Sequence, residues 1–251
     1  MKLRENQYDL IASLGANCAA AHNLEIRGLR PVALPFDWTY VVDESPYAWM
    51  AEHVCDGFRG LCMRENLVEI TPASPEWKDA HADRVKYVDN GSGFRFVNHF
   101  SRPVDSDGEY AKVHSALSRR TERLFEMLGK SGRVLFVAGT HVRISPETFQ
   151  ALRRSFSARF PDVDFGFVYV RFATARDEVL PEYGEETRLI TVERPLNDYD
   201  CAQANFEWSF MDSLELSGLF QRPRERLMHV SLGIWPSVSL HVELRRKRKS
   251  L

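Results

Sequence analysis

Gly132-Arg133-Val134-Leu135-Phe136-Val137-Ala138 decides the fold. A continuous apolar run of this length, opened by glycine and arginine, fits a strand buried on both faces in a parallel sheet. Ser145-Pro146-Glu147 follows, pairing a serine cap with proline at the first helical position, and predicts a helix to about Phe160. Phe165 to Val170 predicts the next strand, Arg188 to Val192 another, and Ala204 to Leu216 a further helix carrying Trp208. Strands alternating with helices argue for one α/β domain, a mainly parallel central sheet flanked by helices, over residues 1–240. Gly139-Thr140-His141 reads as a loop after a strand end, where such sheets bind ligands.

Toward the N-terminus, Glu109 to Leu128 is the clearest helix. Tyr110, Val113, Leu117, Leu124, Phe125 and Leu128 recur at three- and four-residue steps. Arg119, Arg120 and Arg123 read as its solvated face, paired with Glu122 and Glu126, with anion binding as the alternative. Lys86 to Phe100 reads as a β-hairpin insertion turning at Asn90-Gly91. His99 ends its second strand, either as a structural histidine or where a general base would stand. Leu67 to Thr71 predicts a short strand. Ser45-Pro46 caps a helix whose apolar face is Tyr47, Met50, Ala51 and Val54.

The first strand is Leu10 to Leu14, followed by a turn at Gly15 and a helix from about Ala19 to Leu29 with Gly28 as its stop. Asn17 can cap that helix, and Cys18 falls in its first turn, where the helix dipole favours a thiolate. The plainer reading of Cys18 is a small buried apolar residue. Asp37 stands between Phe36 and Trp38 after two prolines, an environment that desolvates a carboxylate and demands a partner. It can equally cap its own turn.

Composition sets the outer bounds. The 251 residues are 44% hydrophobic and 27% charged, with a formal net charge of −2, which fits a globular chain with no general attraction to nucleic acid. Arg245 to Lys249 form a basic tail, expected over 241–251 as a disordered segment; setting those five aside leaves 28 basic residues against 35 acidic. The charged N-terminus does not read as a signal peptide, and no apolar stretch is long enough to span a bilayer. Four cysteines suit a reducing compartment, so a cytoplasmic location is expected. Cys55 and Cys62 lack a second pair, so no metal is expected, and no cofactor.

Several separated segments resemble a known pattern. Ser13-Leu14-Gly15 with Cys18, Pro35-Phe36-Asp37-Trp38, Asn98-His99-Phe100, the arginine-rich helix and Val134 to Val137 together resemble the bacterial DUF1796 family, described as papain-like cysteine peptidases. The likeness covers about residues 8–215. It implies Cys18 as nucleophile and His99 as base. Relatives tend to show His-Asp-Phe where this chain has His99-Phe100, so an orienting carboxylate must come from elsewhere: Asp37 first, then Asp105 or Asp107. Gly15, Asn17, Trp38, Asn98, Arg119 and Arg123 are the candidate substrate contacts.

The expected function is cysteine-dependent acyl transfer, hydrolysing a peptide or small acyl substrate by thiolate attack. A second reading is an α/β group transferase holding a nucleotide-sugar or other phosphate donor at the Gly15 to Cys18 turn. It accounts for the regular α/β second half, which a papain-like fold does not predict. A third is a non-catalytic binding module whose basic tail meets an anionic partner.

Overall fold

The structure, a computed structural model, describes residues 8–15, 18–26, 28–74, 83–140, 142–173 and 187–193, all within one compact unit. In chain order the elements are β1 (Leu10–Ser13), α1 (Cys18–Ile26), α2 (Ser45–His53), β2 (Leu67–Ile70), β3 (Val85–Asp89), β4 (Arg95–Phe100), α3 (Glu109–Lys130), β5 (Arg133–Thr140), α4 (Pro146–Arg159), β6 (Asp164–Ala173) and β7 (Thr187–Glu193). The expected helix at 204–216 and the basic tail lie outside the described residues.

β1, β5, β6 and β7 form a parallel sheet in that order, with Leu10 against Val134 and Val134 against Phe165. The mixed α/β class and parallel sheet are those expected from the apolar run at Val134. Every β5 residue from Val134 to Thr140 is buried, because helices and loops cover both faces. On one face Phe136 meets Phe156, Phe165 and Phe167, with ring centroids 4.7, 5.8 and 5.6 Å apart. Burying each such ring contributes about 1.5–3 kcal/mol. Residues of α3 buried at helical spacing, Val113, Leu117, Thr121, Leu124 and Leu128, form its inner stripe.

β2, β3 and β4 make a separate antiparallel sheet, so the hairpin expected near 86–100 is present and gains a third strand. A Tyr40–Arg95 bridge joins this sheet to the segment before α2, and α3 packs on β4.

Three local expectations need correction. The hairpin does not turn tightly at Asn90-Gly91. Asp89 N donates to Phe94 O and Gly93 N to Asp89 O, and the left-handed residue is Gly93. A buried Asp89 carboxylate organises this wider loop, accepting from Gly91 N, Ser92 Oγ and Cys62 N. Ser45 is not a cap but the first residue of α2, and its N–H and hydroxyl both donate to Asp43. Glu44 instead reaches across to α4, accepting from Ser145 N and Thr148 Oγ1. Finally, Gly139 and Thr140 belong to β5 rather than to a loop after it, because their ladder continues through Val170 and Arg171. His141 lies outside the described residues.

Candidate functional site

The turn leaving β1 is the site's foundation. Leu14 N donates to Val137 O at 2.9 Å, keeping the chain on the sheet, and Gly15 N donates to Ser13 Oγ at 3.0 Å. Gly15 has φ +80°, and a Cβ there would stand 2.5 Å from Thr39 Oγ1 and 2.7 Å from Phe36 O. Glycine is therefore needed for conformation and for space together. The Pro35 to Trp38 segment thus lies directly on the turn that leads into Cys18, the first residue of α1. This is the carboxyl edge of the parallel sheet, where open α/β sheets carry their ligands. Asn17 and the Cys18 side chain lie outside what is described.

Asp37 is fully buried and organises the second layer. Its Oδ2 accepts from Leu34 N at 2.7 Å, tying its own turn, and from Arg30 Nη1 at 2.7 Å. Asp37 thus caps its own turn and has the partner that a buried carboxylate demands. Burial pushes the Asp37 carboxyl up, against the opposing pull of the Leu34 N–H, Arg30 and Arg120. Arg30 also donates to Glu25 at 2.5 Å, and the Trp38 ring lies 5.5 Å from its guanidinium carbon. Two atoms in this buried pair keep unused bonding capacity, Asp37 Oδ1 and Arg30 Nε.

His99 lies at an irregularity in the second sheet. Val85 pairs with Phe100 and Tyr87 with Phe96, so two steps along β3 face four along β4. The surplus falls in Val97 to His99. Such a bulge takes residues out of the ladder and re-aims their side chains. Asn98 Oδ1 and both His99 ring nitrogens are buried without hydrogen-bond partners. The His99 and Phe96 rings meet at 89°, centroid to centroid 5.1 Å. Burial first, and the Arg120 charge second, push the His99 imidazole down to about 3, so it is neutral at physiological pH.

The three arginines of α3 do not form one solvated face, as expected from the sequence. Arg119 is exposed and donates to Ser115 Oγ at 2.6 Å, whereas Arg123 donates to Ala33 O at 3.1 Å, beside the Asp37 turn. Glu126 pairs with Lys130 instead, at 2.5 Å. Arg120 is half-buried, feels the charges of Asp37, Arg30 and Arg123, and has no hydrogen-bond or ion-pair partner among the described residues. At 100° per residue it sits about 60° from the centre of the buried stripe, Arg123 about 120° and Arg119 on the far side.

Direct contacts join the Gly15 turn to Phe36 and Thr39, and Asp37 to Arg30; charge alone links Asp37 to Arg120 and Arg120 to His99. No hydrogen bond joins Asp37 to His99; Arg120 stands within range of both. Arg30 and Arg120 are the members that the sequence reading left out of its site. Helical phase offered a signal for Arg120, and the demand of a buried Asp37 for a cation offered one for Arg30. Chemically, a neutral imidazole with free nitrogens can accept a proton, and an unpaired guanidinium can hold an oxyanion. Among the described residues no group of three or more His, Cys, Asp or Glu side chains is arranged to hold a metal ion. No helix among them is long and apolar enough to cross a membrane.

Comparison with known proteins gives one family. The model of the family described as "Putative papain-like cysteine peptidase (DUF1796)" matches residues 9–175, two thirds of the chain, from the edge of β1 through β6. No curated protein and no solved structure matches the chain.

Proposed function

The chain belongs to the DUF1796 family, described as "Putative papain-like cysteine peptidase", and we propose that it is a cysteine-dependent acyl-transfer enzyme that hydrolyses peptide or amide bonds. In this reading Cys18 is the nucleophile and His99 the base. The observation that carries it is His99 itself: a bulge frees it from the ladder, and both ring nitrogens are buried and uncommitted. A purely structural buried histidine would have at least one nitrogen satisfied.

The chemistry runs from a neutral pair. A shift from 6.5 to about 3 lowers the resting imidazolium population, on the order of a thousandfold at neutral pH. The resting site is then thiol and imidazole rather than a preformed ion pair. As the Cys18 sulfur bonds to the acyl carbon, its proton passes to a His99 nitrogen. The imidazolium returns that proton to the departing amine, and water, with His99 as base again, hydrolyses the thioester. Backbone N–H groups at the start of α1 face the developing oxyanion. Asp37, with Oδ1 free, counters the charge of Arg120, the charge that opposes proton uptake by His99. Gly15, Asn17, Trp38 and Asn98 are the substrate contacts in this reading, with Arg123 holding the Asp37 turn from outside.

Labelling by a peptidyl acyloxymethyl ketone tests the proposal, with the modified residue read by mass spectrometry. Cys18 is the expected adduct, and His99→Ala should slow its formation by about a hundredfold, in the range of general-base losses. Cys55 is exposed and serves as the internal reference for ordinary thiol reactivity, while burial pushes the Cys62 thiol up and keeps it inert. Labelling that persists in Cys18→Ala, or that is no faster at Cys18 than at Cys55, overturns the assignment.

A further inference from the structure

Among the described residues Arg120 makes no hydrogen bond or ion pair, although the charge of Asp37 acts on it. Its neighbour Arg30 has both terminal nitrogens engaged, one by Asp37 and one by Glu25, and Arg123 is engaged by Ala33 O. Arg120 is half-buried, on the same helix, and donates to nothing among the described residues. Partial burial of a guanidinium without a partner is unfavourable, and that burial pushes its pKa down from the usual arginine range. On the same helix Arg123 reaches Ala33 O beside the Asp37 turn, and within electrostatic reach of Arg120 are Asp37 and His99, whose Oδ1 and two ring nitrogens are buried and unused. A locus this rich in unspent bonding capacity is built for something that arrives.

We propose that Arg120 is a recognition residue for a carboxylate on the substrate, so that the peptidase acts on acidic peptides. The proposal rests on the cysteine-peptidase reading of the same site. One unengaged guanidinium fork offers two parallel N–H donors, the geometry that a planar carboxylate accepts. The carboxylate comes either from an Asp or Glu side chain or from a free peptide C-terminus. Asp37 stands close enough to repel a second negative charge, which favours a singly charged group over a phosphate. A bound carboxylate also neutralises the charge that opposes proton uptake by His99, so the right substrate makes the base stronger.

Three tripeptides separate the possibilities: Ac-Ala-Glu-Ala-NH2, Ac-Ala-Gln-Ala-NH2 and Ac-Ala-Gln-Ala-OH. Their binding to the full chain carrying Cys18→Ala, which prevents turnover, is measured by calorimetry. The peptide with the matching carboxylate should bind about ten- to a hundredfold more tightly than the neutral one, the range of a charge-assisted pair. Which acidic peptide wins identifies the side-chain or the C-terminal source. Arg120→Gln should remove the preference, and Lys112→Gln, an exposed change on the same helix, should leave it within twofold. Equal binding of all three, no binding by any, or a preference that survives Arg120→Gln overturns the proposal. Labelling of Cys18 in the wild-type chain reads the peptidase assignment separately. Labelling without acidic preference removes only the Arg120 role; acidic preference without labelling removes only the nucleophile.

Discussion

Replacing Gly15 by alanine should destabilise the protein far more than the same change at Gly28, although both glycines have positive φ, +80° and +69°. Left-handed backbone costs an alanine about 1–2 kcal/mol at either position. At Gly28 nothing lies within 4 Å of the added Cβ, so the conformational cost is the whole effect. At Gly15 the Cβ meets Thr39 Oγ1 at 2.5 Å and the backbone oxygen of Phe36 at 2.7 Å. A side chain could swing aside, but a carbonyl in a turn held by Asp37 cannot move alone. Overpacking of this kind adds about 1–3 kcal/mol. The sum for Gly15→Ala is about 2–5 kcal/mol, or a fall in Tm of roughly 5–15 °C for a chain of this size. Urea unfolding of both variants, followed by fluorescence, gives the comparison directly. Thr39→Ala added to Gly15→Ala should restore only part of the loss, because the Phe36 oxygen remains. Equal losses at Gly15 and Gly28 would refute the claim that the Phe36 to Thr39 turn rests on the strand end.

The pH response follows from His99. Its folded pKa lies below the unfolded value of 6.5, so the unfolded chain takes up the proton first. The stability tied to the neutral ring is complete above about pH 6.5 and is lost as pH falls toward about 3, with a slope of about 1.4 kcal/mol per unit. Between pH 7 and pH 5 the wild type should therefore lose stability relative to His99→Phe, read from denaturation midpoints; a constant difference would contradict a ring buried as neutral. Glu109, fully buried at the start of α3, holds the chain just after His99 by accepting from Ser101 N at 2.6 Å, Ser101 Oγ at 2.8 Å and Arg102 N at 3.3 Å. Glu109→Ala should cost about 2–3 kcal/mol, as for hydrogen bonds to a buried charge. It should also raise amide exchange at Ser101 and Arg102, and unchanged exchange there would argue against the clamp.

The architecture was legible where one stretch carries its own pattern. Val134 to Ala138 is too apolar to be half-exposed, and Ser145-Pro146 marks a helix start without help from elsewhere; Ser145 Oγ indeed accepts from Thr148 N at 3.3 Å. Ser45-Pro46 has the same signature and misleads, because Asp43 two residues earlier competes for the serine. Asn90-Gly91 misleads similarly, since Asp89 recruits the loop for a network extending to Cys62. Asp37 was readable as a buried carboxylate from its aromatic neighbours. The need for a cation followed from that, but not which one: Arg30 meets it from seven residues away, across two prolines. The bulge at Asn98 and His99 depends on the offset between two strands, and neither strand alone encodes it. Arg120 was misassigned because charge clustering was weighed without helical phase.

The position of β1 has a bearing on how the protein is made. Its ladder partner is β5, with Leu10 against Val134, 124 residues later. Asp9 strengthens the same junction, accepting from Gly132 N and Arg133 N. At about 5–20 residues per second, a ribosome needs roughly 6–25 s to supply that partner after β1 has been made. Until then the segment leading into Cys18 has no sheet to dock on, and closing so long a loop is slow. A nascent or truncated chain ending before β5 would carry the cysteine without the strand that positions its turn. Synthesis itself thereby acts as a timer, withholding a competent site until most of the domain exists.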